Sequence, residues 1–362
     1  MDRSVIIDEK DSRGAGLKFL IVSLRYIGDV LLSTPLALSI KARYPDAVVD
    51  YAVFRGTEGI LEKNRHVRHV HVLEPGRWNL EVLQTIWKKY DIAIGSNPSD
   101  RTCIFTAVAA KSPYCFSYNR RNEWWKKIFS NCRFYDHSHH IVPLLLTQLE
   151  PLGIPPLYRV VMGYDDADVT YAQEHIGGSD YVVMHPYARK EYKHWNPFAW
   201  RELARLVRRA TGSRVIFTRS PDPRDDKLLE SILQDVPDGV SALHRPYSLC
   251  QLAAALRASK GYVGVDTVVT HMAAALDVPT VALFGPTMVS HWGPWPNDSR
   301  SLAPYAPAGG IQRNGCITVV QKDMECVPCN MEECSFDESG KIVCLESLAT
   351  NEVLKEFLAL IG

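Results

Sequence analysis

The sequence predicts an α/β protein made of two doubly wound domains. Three observations carry this. Short apolar runs, of the kind buried parallel strands show, alternate with longer stretches of helical periodicity. The alternation stops at a proline-rich segment, Pro151-Leu-Gly-Ile-Pro-Pro156, and then starts again. The length, 362 residues, is long for one domain and comfortable for two.

In chain order, Lys18–Leu24 is a buried parallel strand. A loop holding Gly28 and Asp29 follows, and Val30–Tyr44 reads as a helix with apolar positions at Leu31, Leu36, Leu38 and Ile40. Val48–Val53 completes a βαβ unit. His69–Leu73 and Asp91–Gly95 are two further strands, Pro113–His140 is irregular, aromatic and basic, and Ile141–Leu152 is a helix. Beyond the proline-rich boundary, strands are expected at Tyr181–His185, Arg214–Thr218, Gly261–Val265 and Pro279–Phe284. Helices are expected at Pro197–Arg209, Asp225–Gln234, Leu249–Ala258 and Thr270–Leu276, with a last amphipathic one at Val353–Leu360. The domains so drawn are 18–155, 156–345 with a Cys-rich segment at 316–344, and a C-terminal helix at 346–362. Two such halves face one another across a cleft, and ligands bind beyond the C-terminal ends of the strands.

Composition narrows the function. Lys and Arg number 41, as do Asp and Glu, and this zero balance argues against a dedicated nucleic-acid binder. Residues 1–155 carry 21 basic against 16 acidic residues and the remainder 20 against 25, so the first half suits an anionic partner or simply scatters its surface charge. No run approaches the ~20 apolar residues of a membrane span. The polar stretch Met1–Lys18 does not read as a secretory signal, and a cytoplasmic location is expected.

Four sequence features fall just after predicted strands. Asp29 is either a helix cap or, at a cleft mouth, a general base. Gly264-Val-Asp-Thr-Val-Val-Thr-His271 brings Asp266 and Thr267 to a helix start, whose amides bind phosphate well, with His271 a turn further on. An Asp cap with a packed histidine is the plainer reading. The loop from Met184 to Pro197 gathers Arg189, Lys190 and Lys193, either as a clamp on a diphosphate leaving group or as a solvated basic loop. Phe284-Gly-Pro-Thr287 forms a tight turn at the same rim.

Together these features resemble glycosyltransferase family 9, the ADP-heptose:lipopolysaccharide heptosyltransferases. The family's Arg-x-x-Gly-Asp and following Pro stand here as Arg25-Tyr-Ile-Gly-Asp29 and Pro35. Its His-Pro and Lys-x-Trp stand as His185-Pro186 and Lys193-His-Trp195. Its Asp-Ser/Thr-Gly-x-x-His stands as Asp266-Thr-Val-Val-Thr-His271, with Val268 in place of the usual Gly. The block from Ala274 to Thr287 completes the match, which covers about residues 18–345.

The resemblance implies a GT-B fold of two Rossmann-like domains and an inverting, metal-independent transfer of heptose from ADP-heptose to a lipopolysaccharide inner-core acceptor. It implies Asp29 as the base. Lys193 and the amides near Thr267 and Val268 would take up the charge of the departing diphosphate, with Asp266 on donor-sugar hydroxyls, and His271 and Thr287 completing the donor site. Tyr247 would lie against adenine and Asp222 or Asp225 near the ribose. The acceptor, an anionic lipid-linked oligosaccharide, would meet Arg25 and a segment in which Arg120, Arg121, Lys126 and Lys127 flank Trp124 and Trp125, as a peripheral contact on the cytoplasmic face of the inner membrane. A packed helix start with a solvated charged face is the other reading of that segment. A different nucleotide sugar or glycan acceptor, a nucleotide-sugar 2-epimerase and a non-catalytic sugar-nucleotide binder are the rival functions.

Nine cysteines are many for such a chain. Cys103, Cys115, Cys132 and Cys250 read as scattered buried thiols. Cys326, Cys329, Cys334 and Cys344 follow C-x2-C-x4-C-x9-C, a candidate structural zinc site, with reduced thiols and an iron–sulfur centre as alternatives. No cofactor is expected in the transfer step.

Overall fold

The computed structural model describes residues 16–334 and 342–362. The expectation drawn from the first residues of the chain therefore lies largely outside the described residues. The chain divides into two compact units at Gly163 and Tyr164.

In the first unit the strands are β1 (Lys18–Ser23), β2 (Val48–Phe54), β3 (His69–Leu73), β4 (Tyr90–Gly95), β5 (Ala110–Ser117) and β6 (Asn131–Phe134). They form one parallel sheet in the order β3-β2-β1-β4-β5-β6. The order reverses between β1 and β4, so the crevice beyond their C-terminal ends is the natural ligand position. Leu20, Val22, Ala93 and Phe105 build the core on one side of this sheet. Asp50 lies in β2 with no exposure at all. It accepts from Arg68 Nε at 3.0 Å and from the Tyr90 hydroxyl at 2.8 Å, and the same hydroxyl meets His71 Nε2 at 2.7 Å.

The single helix expected at Val30–Tyr44 is two, Ile27–Leu32 and Thr34–Arg43. Pro35, near the start of the second, cannot donate the backbone bond a continuous helix would need. The segment expected to be irregular holds β5, a helix at Trp124–Phe129 and β6. Pro113 argued against a strand there. It sits opposite Ala93 in the β4–β5 pair all the same. That pairing also corrects the view of Cys115 and Cys132 as scattered: they are register partners on β5 and β6, with sulfurs 3.1 Å apart.

The passage between units falls later than the proline-rich segment. Leu157 N–H donates to Ser39 Oγ at 2.8 Å and Val161 N–H to Thr34 Oγ1 at 2.9 Å, which lace this stretch onto the first unit. Gly163 runs so close to the Lys63 carbonyl that a Cβ there would lie 2.1 Å from the oxygen.

The second unit contains β7 (Tyr181–His185), β8 (Arg214–Phe217), β9 (Val240–Ala242), β10 (Gly261–Val265), β11 (Thr280–Phe284), β12 (Gly310–Asn314) and β13 (Ile317–Gln321). Their order is β12-β13-β11-β10-β7-β8-β9, parallel except for β12. Again the order reverses, here between β7 and β10. Trp195, Trp200 and Phe217 anchor a large core on this sheet. The C-terminal helix, Thr350–Ile361, is part of this unit: Phe357 packs at Gly261, and Glu356 receives two hydrogen bonds from Arg313, at 2.6 and 2.5 Å. No helix among the described residues is long and apolar enough to cross a membrane.

Candidate donor and acceptor sites

At the switch point of the second unit, the loop after β7 and the turn after β10 meet. Trp195 is buried and fixes the loop, so that Lys193, on a single 3-10 turn at Glu191–Lys193, reaches the Asp266 carboxylate at 2.5 Å. Burial works against the Lys193 ammonium, but the Asp266 charge more than offsets it and holds the lysine above its ordinary pKa. Asp266 therefore does not cap the helix that follows. Thr267 occupies the cap position of the helix Val268–Ala275 and makes no side-chain cap bond. The first intrahelical bond recorded runs from Thr270 N–H to the Thr267 carbonyl, so the Val268 and Val269 amides lie at the open start of the helix.

His271 lies one turn in, buried, beside that pair. Burial, with Lys193 acting in the same sense and Asp266 against it, brings its pKa down to about 4, and its Nδ1 has no hydrogen-bond partner. His185, at the end of β7, is equally buried and is held at about 3 by burial and by His194; its Nδ1 pairs with Thr218 Oγ1 at 2.7 Å. Both imidazoles are neutral in ordinary buffer. Thr287 is half-buried, and its carbonyl and that of Gly285 accept from Gln321 Nε2 at 2.9 and 2.6 Å.

Farther along the same rim, Tyr247 meets Tyr171 edge-on at 5.1 Å, a partner with no signal in the sequence. Asp222 is engaged by Arg224 Nε at 3.0 Å and caps the short turn at Pro223–Asp225. Asp225 is half-buried beside it.

At the switch point of the first unit, Asp29 sits in the first turn of Ile27–Leu32. The cap residue is Tyr26, so the capping reading of Asp29 does not hold. Arg25 Nη1 lies 3.7 Å from its carboxylate. Three residues that sequence reasoning missed gather here. Tyr135 is driven well above the usual tyrosine range by burial and by the Asp29 charge, and His137 is held below the usual histidine value by burial and by Arg25. Tyr118 stacks on His137 with centroids 5.9 Å apart. They belong to the segment that looked irregular; only its aromatic content hinted at them.

Arg120, Arg121 and Lys127 are exposed, with Trp124 beside them. Lys126 is not on that surface. It is buried, bonded to Glu123 Oε1 at 2.9 Å, to the Pro98 carbonyl at 2.6 Å and paired with Asp100 at 3.0 Å. The (i, i+3) spacing from Glu123 turns it inward and leaves Lys127 outward.

All nine cysteines are free thiols. Cys326, Cys329, Cys334 and Cys344 line one cavity of about 70 Å³ in the second unit. Among the described residues no group of three His, Cys, Asp or Glu is already drawn together as a metal site.

Solved structures share this architecture. A family 9 glycosyltransferase from Veillonella parvula superposes with a TM-score of 0.77 at 18% identity, covering 95% of this chain and 97% of that one. The E. coli heptosyltransferase WaaC with ADP gives 0.71 at 20% identity, covering 96% and 100%. The fold is thus that of the GT-B glycosyltransferases, an enzyme class. The chain belongs to glycosyltransferase family 9 (heptosyltransferase), whose family model matches residues 80–308. It is also similar to the E. coli lipopolysaccharide heptosyltransferase 3, at 28% identity over 302 residues, 76% of this chain and 85% of that one.

Proposed function

We propose that the protein transfers a heptose from ADP-heptose to a lipopolysaccharide inner-core acceptor, with inversion at the anomeric carbon. The carrying observation is the Lys193–Asp266 pair set against the open helix start at Thr267 and Val268. A diphosphate needs cations and preorganised amides where its charge develops, and this switch point supplies both. In this reading Asp29 accepts the proton of the acceptor hydroxyl while its oxygen bonds to the anomeric carbon. The bond from that carbon to the diphosphate breaks, and ADP leaves with its charge taken up by Lys193 and the amides of Val268 and Val269. Asp266 and His271 hold the donor sugar side, Thr287 closes the turn, and Tyr247 with Asp222 or Asp225 faces the nucleoside. No metal enters the transfer, because lysine and helix amides supply the charge; the candidate zinc of the cysteine segment is structural.

The relatives named as lipopolysaccharide heptosyltransferases support this donor and acceptor class, and the family's transferase character sets the epimerase aside. Arg25, Arg120, Arg121 and Lys127 would meet the anionic acceptor. Trp124 (64% exposed), Ile128 (56%) and Phe129 (61%) form an apolar tip among those cations, which suits a peripheral seat on the cytoplasmic face of the inner membrane. A panel of nucleotide sugars and core acceptors tests the proposal. ADP release dependent on both ADP-heptose and a phosphorylated core acceptor, with an inverted product linkage, is expected. Release without acceptor, or with another donor only, would overturn it.

A further inference from the structure

The four cysteines of the second unit reach their cavity from two separate segments, 326–334 and 342–346. Apart from the Glu333 carboxylate, the remaining wall is apolar, with Met324, Val327 and Ile342 among its members. Such a cavity offers little to a hydrated cation that prefers oxygen. It suits an ion that trades water for sulfur, and four thiolates in tetrahedral array are the ligand set of zinc and of mononuclear iron.

The surroundings explain what such an ion would do. Asn330, just past Cys329, donates its backbone N–H to the Pro286 carbonyl at 2.8 Å and accepts from Met288 N–H at 2.9 Å through Oδ1. On the other side, a Cβ on Gly285 would lie 3.5 Å from Leu345 and 3.6 Å from Ile342. The two thiol-bearing segments thus bracket the Gly285–Thr287 turn. Lys190, from the loop that carries Lys193, pairs with Glu332 at 2.9 Å.

We propose that Cys326, Cys329, Cys334 and Cys344 form a structural site for a thiophilic divalent ion, zinc or ferrous iron, which joins the two segments and buttresses the Gly285–Thr287 turn. The site stands apart from the donor assignment, since it depends only on the thiols and their cavity. Because the ligands come from segments without regular strands, the ion contributes directly to their folding.

The full chain, made without a metal-binding tag and purified without chelator, is analysed for metals. Close to one zinc or one iron per chain is expected. Ferrous iron would show thiolate-to-metal absorption in the near-ultraviolet and turn red on oxidation to ferric iron, and zinc would leave the protein colourless. Cys326→Ser/Cys329→Ser should reduce the metal to near zero and lower the Tm. Should that variant fail to fold, the unmodified chain is stripped and refilled with cobalt(II), which should give the intense visible bands of a tetrahedral thiolate complex. Metal-free protein with a full Tm, metal retained by the double variant, or cobalt bands lacking tetrahedral intensity would each overturn the site. Donor turnover is not needed for any of these readings, so failure of the site and failure of the transfer proposal are separable.

Discussion

Replacing Lys193 by alanine separates electrostatic support of the diphosphate from everything else at the donor end. The ammonium sits 2.5 Å from Asp266, with side-chain exposures of 22% and 8%. Two unit charges about 4 Å apart interact by ~4 kcal/mol at an effective dielectric near 20. Partial exposure of Lys193 to solvent screens its attraction for a bound diphosphate to about half of that, on the order of 2 kcal/mol. Loss of the lysine also leaves the Asp266 carboxylate uncompensated beside the same phosphates, adding repulsion of about 1–2 kcal/mol. Lys193→Ala should therefore weaken ADP binding by roughly 10²–10³-fold. Lys193→Ala/Asp266→Asn should regain about tenfold of that, because the orphaned charge is gone. ADP rather than the full donor is the probe, so that the sugar contacts assigned to Asp266 do not enter. Isothermal calorimetry reads both variants. Unchanged ADP affinity in the single variant, or no recovery in the double, would refute the reasoning and move the cation clamp to Arg189 or Lys190.

Asp29→Asn keeps the shape of the first helical turn and removes the base; turnover should fall by ~10²–10⁴-fold with ADP affinity unchanged, measured by coupled ADP release and calorimetry. Lys126→Met removes the counter-charge of Glu123, a carboxylate with only 9% side-chain exposure that keeps its bonds from Ser117 Oγ and Tyr118 N–H, and should cost about 3 kcal/mol in urea unfolding. Arg120→Glu/Arg121→Glu, by contrast, should leave unfolding within about 0.5 kcal/mol, raise the acceptor KM severalfold and not touch the donor KM. His271, held at about 4, stays neutral in the folded chain while the unfolded chain takes up a proton near 6.5. Its contribution to stability is thus present above pH 6.5 and lost as pH falls toward 4, and His271→Gln should show a shallower loss over that window in urea titrations at stepped pH.

The donor end was the most legible part of the sequence. β7, β10 and the helix at Leu249–Ala258 lie where the apolar runs placed them, because both faces of these strands are buried and their composition says so. The family pattern assigns Lys193 and Asp266 to the donor site one by one, but not their contact, since no local periodicity encodes an ion pair at a separation of 73 residues. The acceptor half was harder. Lys126 and Lys127 look alike in sequence, and only the helical phase set by Glu123 separates a buried ion pair from a surface charge. Tyr118, Tyr135 and His137 were missed because β5 carries a proline and β6 is four residues long, so neither shows strand periodicity. The passage between units was misplaced for a related reason. Leu157 and Val161 attach through backbone N–H groups to Ser39 and Thr34, and such bonds leave no trace in side-chain composition.

The Asp50 network bears on how the first sheet assembles. An all-parallel sheet pairs strands distant in sequence, and its register is open to error until the last crossover is in place. Asp50 can lie in the interior only if Arg68, arriving with β3, and Tyr90, arriving with β4, both reach it. A slip of one residue in β2 would turn its side chain to the opposite face, away from both, and leave a bare carboxylate in the wrong layer. One acidic residue thus acts as a checkpoint on three strands, rejecting misaligned pairings that the surrounding valines and isoleucines would accept.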